Sequence, residues 1–386
     1  MNYVVFDTTE SRLQLLPITY TRPVGDIRIG ILTMKERWHH FLPGNYSYST
    51  AEHLHELFPQ VADIDNDTFF LAGNVIATAQ LARAVEALQP GERLVAGDLE
   101  IARRGDAVDG SAVEFSGEVL ALNHIYDIFG LNDRAIALDF DTLTAGRVSQ
   151  PIDPSNTVLG DTGRVFIEPG ATVECVTLNT RQGPIYIGPE AVVMEGSNLR
   201  GPIALCEHAQ TNMGCRIYGA TTLGPYCKVG GELNNVVMIG FSNKGHDGFL
   251  GNAVIGEWCN LGGGTTASNL KNDYSEIKLW NYKAGRFLRT GLQFCGLIMG
   301  DHSKSAINTT FNTATTVGVG CNIISEGMPR VFIPSFSKGG TAGFENVNLS
   351  EFFAIARRVM ARRHRELTDA HCRLFQAIAD FSDNFK

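Results

Sequence analysis

The chain has 386 residues, of which 44% are hydrophobic and 19% charged, and it carries a net charge of −9. That length suits two or three domains, while the acidic balance argues against a general nucleic-acid binder and no apolar run reaches the length of a membrane span. The eight cysteines include no Cys-x-x-Cys pair, which fits reduced thiols in a cytoplasmic protein rather than a disulfide framework.

Met1–Asp7 reads as a short strand without the basic region of a signal peptide. Residues 1–150 alternate strand and helix signals, so an α/β domain is expected there. Its helices are expected at Ile31–Leu42 and at Thr78–Leu88, the latter capped by Thr78, with a further helical start at His124–Phe129. Its strands are expected at Tyr3–Phe6, Tyr46–Ser49, Thr68–Leu71, Leu94–Arg103 and Glu114–Leu122.

From Ile187 an apolar residue recurs every six positions: Val193, Leu199, Leu205, then Ile217, Leu223 and Val229, with Thr211 as the one polar member. The step returns at Phe249, Ile255, Leu261 and Ala267, and again from Met299 to Ile323. Four residues after these positions the side chain is usually small, as at Ala191, Cys215, Cys227, Cys259, Thr265 and Cys321. A period of six fits neither an amphipathic helix nor an alternating strand. It predicts a left-handed parallel β-helix of hexapeptide repeats over residues 151–347, with roughly nine coils and Gly or Asn at the corners. The step breaks at Asn179–Pro184, Asn235–Gly248 and Ser268–Ile298, where loops are expected to protrude and build a site.

Residues 348–386 predict a helical tail, with Ser350 as its cap and a basic cluster that includes Arg357, Arg358, Arg362, Arg363 and Arg365. Such a cluster is either a solvated face or a phosphate-binding patch beside the β-helix. Gly262-Gly263-Gly264 reads equally as a phosphate cradle or as a β-helix corner. His208, His246 and His302 lack the close His pair that a zinc site across neighbouring hexads needs, so no metal site is expected in the β-helix.

His246 stands in a Gly-rich break, Lys244-Gly245-His246-Asp247-Gly248, a placement suited to acid–base work. The stretch Asn243 to Thr265 resembles the acetyltransferase core of the bifunctional N-acetylglucosamine-1-phosphate uridyltransferase/glucosamine-1-phosphate acetyltransferase family, K-x-x-H-x-x-Y-x-G-D-x-x-I-G-x-x-x-N-I-G-A-G-T. The opening Phe6-Asp7 through Leu16-Pro17-Ile18-Thr19-Tyr20-Thr21-Arg22-Pro23 is similar to that of sugar-nucleotidyltransferase-like proteins with a shortened N-terminal domain. In ungapped register the resemblance puts a catalytic base on His246, a sugar-phosphate contact on Arg216 and an amino-sugar contact on Asn260. It also puts Gly263 and Ser268 on the side of the acyl donor. The family's phosphate-binding Lys falls on Asn234 and its substrate Tyr on Phe249, which removes a cation and a hydroxyl from the acceptor site.

The resemblance implies acetyl-CoA-dependent transfer to the amine of a sugar phosphate or nucleotide sugar, in a homotrimer. It implies a nucleotidyltransferase-like site before the β-helix, with Arg12 and Arg22 as nucleotide contacts and Mg²⁺ needed only if that site turns over. There the family's Gly-rich phosphate loop corresponds to Phe6–Pro17, which contains no glycine, and its metal-binding Gly-Asp to Gly73-Asn74. Two other functions remain open at this stage: sugar-1-phosphate nucleotidyl transfer, and non-catalytic binding of a sugar nucleotide or scaffolding.

Overall fold

The computed structural model describes residues 1–60, 64–106, 108–325 and 327–385. They form two compact units: Met1–Arg28 with Leu32–Asp127, and Ile29–Ile31 with Ile128–Lys386. The units therefore divide earlier than residue 150.

The first unit is built on a six-stranded sheet. Strand Asn2–Phe6 lies parallel to Asn45–Ser49 on one side and Phe69–Ala72 on the other. The carboxyl ends of these strands bring Asp7, Thr50 and Gly73 to one edge. Thr33 caps helix Met34–Phe41 in a reciprocal box with Glu36, so the helix starts three residues later than its pattern predicts. Thr78 caps Ala79–Glu86 as expected, accepting from the Leu81 N–H at 3.2 Å. The strand expected at 94–103 is two, Glu92–Ala96 and Leu99–Arg104, folded into an antiparallel hairpin. Gly97 turns it at φ +57°, a conformation that favours glycine. The strand expected at 114–122 is instead Ser111–Glu114. Beyond it the chain keeps only an isolated bridge, Val75 to Ala121, and the Phe115 ring lies over Gly117.

The second unit is a left-handed parallel β-helix followed by two helices. Strands stack in register along three walls: one through Thr177, Asn198, Arg216, Glu232 and Phe249, a second through Tyr186, Ala204, Thr222 and Val237, a third through Val192, Gln210, Lys228, Asn243 and Asn260. The third wall has ten strands, parallel except for its last pairing. Nearly every hexad residue predicted to point inward does so, and the small partners Ala191, Cys215, Cys227, Cys259, Thr265 and Cys321 are all at most 1% exposed. Thr211 fits the core because its hydroxyl lies 3.3 Å from Ser197 Oγ, which in turn donates to the Asn212 carbonyl. Burial pushes the Cys259 thiol up to about 12, as expected of an inert packing thiol.

Phe249 is the exception among the expected core residues. The coils tighten here: Ile217, Leu233 and Leu250 are register partners, in steps of 16 and 17 residues. One residue lost at a corner moves the inward position from Phe249 to Leu250, since a one-residue slip exchanges the faces of a strand. The break expected at 235–248 is thus a tight coil and not a protruding loop. The break at 268–298 does leave the wall, as an antiparallel hairpin of Lys278–Asn281 with Arg286–Arg289.

The corners obey two rules. Between the third and first walls, Gly196, Gly214, Gly231, Gly248, Gly264 and Asn308 take positive φ, as the sequence predicts. Between the second and third walls the same conformation falls on His208, Tyr226, Phe241, Trp258, His302 and Phe336. Consecutive rings from His208 to His302 lie 4.3–6.0 Å apart, and this stacking offsets the left-handed backbone.

The segment Asn132–Thr144 is a helix whose Ile136 and Phe140 pack with Phe166, Tyr186 and Ala204 on the outside of the second wall. Asn348, not Ser350, caps helix Leu349–Ala361: its Oδ1 accepts from the Ser350 and Glu351 N–H groups at 2.9 and 3.3 Å. Thr368 caps Asp369–Ser382. Phe352 and Phe375 of these helices meet His302 edge-on at 5.6 and 5.2 Å, tying the tail to the aromatic corner. No helix among the described residues is long and apolar enough to cross a membrane.

Candidate functional site

Residues 245–248 form the corner between the third and first walls, and His246 is exposed on it. The corner is held from inside. Lys244 stands between Val229 and Leu261 on the third wall, where the six-residue step demands an apolar side chain, and is 1% exposed. Its Nζ donates to the carbonyls of Gly230 and His246 at 3.1 and 2.9 Å. Burial pushes the Lys244 ammonium down to about 8. Asn212 Nδ2 adds a hydrogen bond to the Gly245 carbonyl at 2.6 Å. The imidazole of His246 lies over Gly263, where an added Cβ would stand 3.5–3.6 Å from it.

The other expected site residues divide between the two walls that meet at this corner. Asn260 and Gly263 join His246 on the third wall, lining a pocket of about 630 Å³. Arg216, Asn234 and Phe249 lie on the first wall. Arg216 Nη2 reaches Asp247 Oδ1 of the corner at 3.9 Å, and its Nε lies 3.9 Å from Glu232 Oε2. Asn234 is the register partner of Tyr218, whose hydroxyl donates to Glu232 Oε1 at 2.6 Å. The Phe249 ring folds over Gly251, a position with no room for a side chain. Ser268 is not brought to the pocket: its hydroxyl is shared with Thr313 at 2.9 Å and the Leu270 carbonyl at 3.1 Å. His208 and His302 belong to the opposite, aromatic corner and do not converge with His246.

The pocket also contains Lys228, Lys304, Arg362 and Arg363, and no carboxylate lines it. The sequence exposed the two arginines as part of a cluster. It gave no signal that the helix end folds onto the third wall, because that depends on the long-range contacts of Phe352 and Phe375.

In the first unit, Arg12, one of the two expected nucleotide contacts, lies near Asp7. Asp7 Oδ2 accepts from Thr50 Oγ1 at 2.9 Å and from the Val24 N–H at 3.4 Å, while Oδ1 is buried without a hydrogen-bond partner. Burial raises the Asp7 carboxyl above its ordinary range, and nearby Arg12 opposes that shift. Where a Gly-rich loop would cradle phosphates, Thr8 caps the short helix Thr9–Gln14. Arg22 is 5% exposed. Asn74 brings no negative charge to a divalent cation, and its Nδ2 donates to the Leu122 carbonyl at 3.3 Å.

Three neighbouring strands of the unit run parallel, and α/β sheets of that kind bind ligands beyond the carboxyl ends of their strands. Residues 3–148 match the model of the sugar nucleotidyl transferase family. This stretch is thus similar to that family. The chain is 26% identical over 214 residues to the bifunctional protein GlmU of Nostoc sp., covering 47% of this chain and 44% of that protein. It is 32% identical over 87 residues to the bifunctional sugar-1-phosphate nucleotidylyltransferase/acetyltransferase of Sulfurisphaera tokodaii, covering 22% and 21%. The chain therefore spans less than half the length of these curated relatives. The solved structure of Arabidopsis UDP-N-acetylglucosamine acyltransferase is 15% identical, with a TM-score of 0.26 over 55% of this chain and 80% of that one.

Proposed function

We propose that the β-helix transfers an acyl group, acetyl, from coenzyme A to the amine of a sugar phosphate or nucleotide sugar. The observation that carries this reading is His246, exposed at a corner beside Asn260 and Gly263 and held there by the buried Lys244. The amine attacks the thioester carbonyl, a C–N bond forms and the C–S bond breaks. His246 takes the proton from the amine, and the departing thiolate is protonated. Asn260 orients the sugar, and Arg216 binds an acceptor phosphate from the adjoining wall. Gly263, against the His246 side chain, and Ser268 stand on the donor side in this reading, the Ser268 hydroxyl being hydrogen-bonded to Thr313 and to the Leu270 carbonyl.

The site residues straddle an outward edge, so one chain presents them on a ridge. In the homotrimer that this reading includes, a second copy would stand against that ridge and close a cleft over it. The acceptor lacks the contacts that Lys and Tyr would supply at Asn234 and Phe249, which favours a sugar other than glucosamine 1-phosphate. The first unit binds a sugar nucleotide through Arg12 and Arg22 and turns it over poorly. Asp7 sets a carboxylate where phosphates would lie, and Asn74 offers Mg²⁺ no charge.

The test is acetylation of a panel of amino-sugar phosphates and amino-sugar nucleotides, followed by release of the coenzyme A thiol. Turnover of at least one amine, abolished by His246→Ala, is expected. No turnover with any amine or acyl donor would overturn the reading.

A further inference from the structure

The pocket beside His246 carries more positive charge than an acid–base site requires. Lys228, Asn243, Asn260 and Lys304 are register partners on successive strands of the third wall, so they form one outward column. Three strand spacings of about 4.8 Å separate the end members, roughly 14 Å in all. Arg362 and Arg363 face the column from the end of helix Leu349–Ala361, and Phe241 and Trp258 supply an aromatic side.

Two ordinary explanations fall short. Arginines at a helix C-terminus complement its dipole, but that does not account for lysines opposite them on a separate element. A solvated basic face would keep its charges apart, whereas here they repel. Burial, with Arg363 and Arg362 adding to it, lowers the Lys228 ammonium from its ordinary range, and burial lowers Lys304. Gathering these cations around one concavity, in a chain with net charge −9, is unfavourable until an anion enters it.

We propose that this pocket is a phosphate-binding subsite, in which Lys228, Lys304, Arg362 and Arg363 hold the phosphoryl groups of an elongated ligand. The column is long enough for a diphosphate together with the group it carries. Arginine supplies paired N–H donors and lysine a point charge, the usual combination for phosphate. Two sources carry this chemistry: coenzyme A on the donor side and a nucleotide diphosphate on the acceptor side. That the ligand's reacting end meets His246 rests on the acyl-transfer reading; the anion site itself does not.

Binding to the full chain is measured by calorimetry with coenzyme A, UDP-N-acetylglucosamine and inorganic pyrophosphate, so that turnover plays no part. The wild type is expected to bind pyrophosphate and at least one larger ligand, more weakly as salt rises. The double substitution Arg362→Gln, Arg363→Gln is expected to lower affinity for pyrophosphate about tenfold or more. An equal loss for coenzyme A alone assigns the site to the donor; a loss for the UDP-sugar alone assigns it to the acceptor. Lys228→Gln, a partly exposed position on the wall, gives the same direction should the double variant fail to fold. The proposal is overturned if wild type binds none of the three, or if well-folded variants bind all of them as wild type does. Loss of anion binding in a protein without acyltransferase activity would sink the function above and leave this subsite standing.

Discussion

Lys244 Nζ donates to the backbone carbonyl of His246 at 2.9 Å, so a core lysine fixes the corner that displays the proposed base. An ammonium inside an apolar prism is costly, and burial lowers its affinity for the proton. The lysine stands at a position where its neighbours along the wall are Val229 and Leu261, and its hydrogen bonds to the corner's carbonyls mark it as a positioning residue.

That placement gives a pH dependence. The unfolded chain holds the lysine proton up to about pH 10.4, and the folded protein to about 8. Below pH 8 both states are protonated and the burial cost is full. Between these values the unfolded state binds more protons, so this group's contribution to stability rises with pH. Urea denaturation of wild type and Lys244→Met at pH 7 and pH 10.5 checks it. Wild type should gain on the variant by up to about 3 kcal/mol across that interval; a constant difference would refute the assignment.

His246→Ala should lower transferase turnover by about 10²–10⁴-fold, the contribution of a positioned general base. Acetyl-CoA binding should barely change, because the phosphate-binding groups remain. Steady-state kinetics paired with calorimetry separates the two effects, and a variant with intact turnover would remove His246 from the mechanism.

Arg216→Ala acts on the other wall. Its guanidinium is half exposed, with Nη1 donating to the Gly214 carbonyl at 3.4 Å and Glu232 and Asp247 each 3.9 Å away, loose contacts that an acceptor phosphate would replace. The variant should weaken acceptor binding by about 1.5–3 kcal/mol with little change in donor affinity. An unchanged KM for a phosphorylated acceptor, measured at saturating acetyl-CoA, would show that Arg216 holds nothing.

Light scattering should give a trimer at micromolar concentration. A monomer that still acetylates sugars would place the whole site on one chain and discard the intersubunit cleft.

Pyrophosphate release from nucleoside triphosphates and sugar 1-phosphates, with Mg²⁺ present, should be weak or absent. The grounds are the stretch Phe6–Pro17, which has no glycine to cradle phosphates, and the uncharged Asn74. Robust release would mean that Arg12 and Arg22 compensate for both.

Much of the fold was legible in the chain because a six-residue repeat constrains the backbone locally. An apolar residue must point into the prism, a small one must fill the space beside it, and both appear in the sequence at fixed spacing. Thr78 likewise announces its helix through a neighbour only three residues away. His246 was visible for a similar reason, as a histidine in a glycine-rich interruption. What tertiary structure alone decided is everything that depends on counting coils across the prism. The tightened coils put Leu250 inside and Phe249 outside, and they set Lys244 in the core. The aromatic corner had no sequence signal, since its members become neighbours only when successive coils stack. Docking of Phe352 and Phe375 against that corner brings Arg362 and Arg363 to residues more than fifty positions away. Local chemistry wrote the β-helix into the sequence; the charge around His246 arises from contacts between strands and helix that only the folded chain brings together.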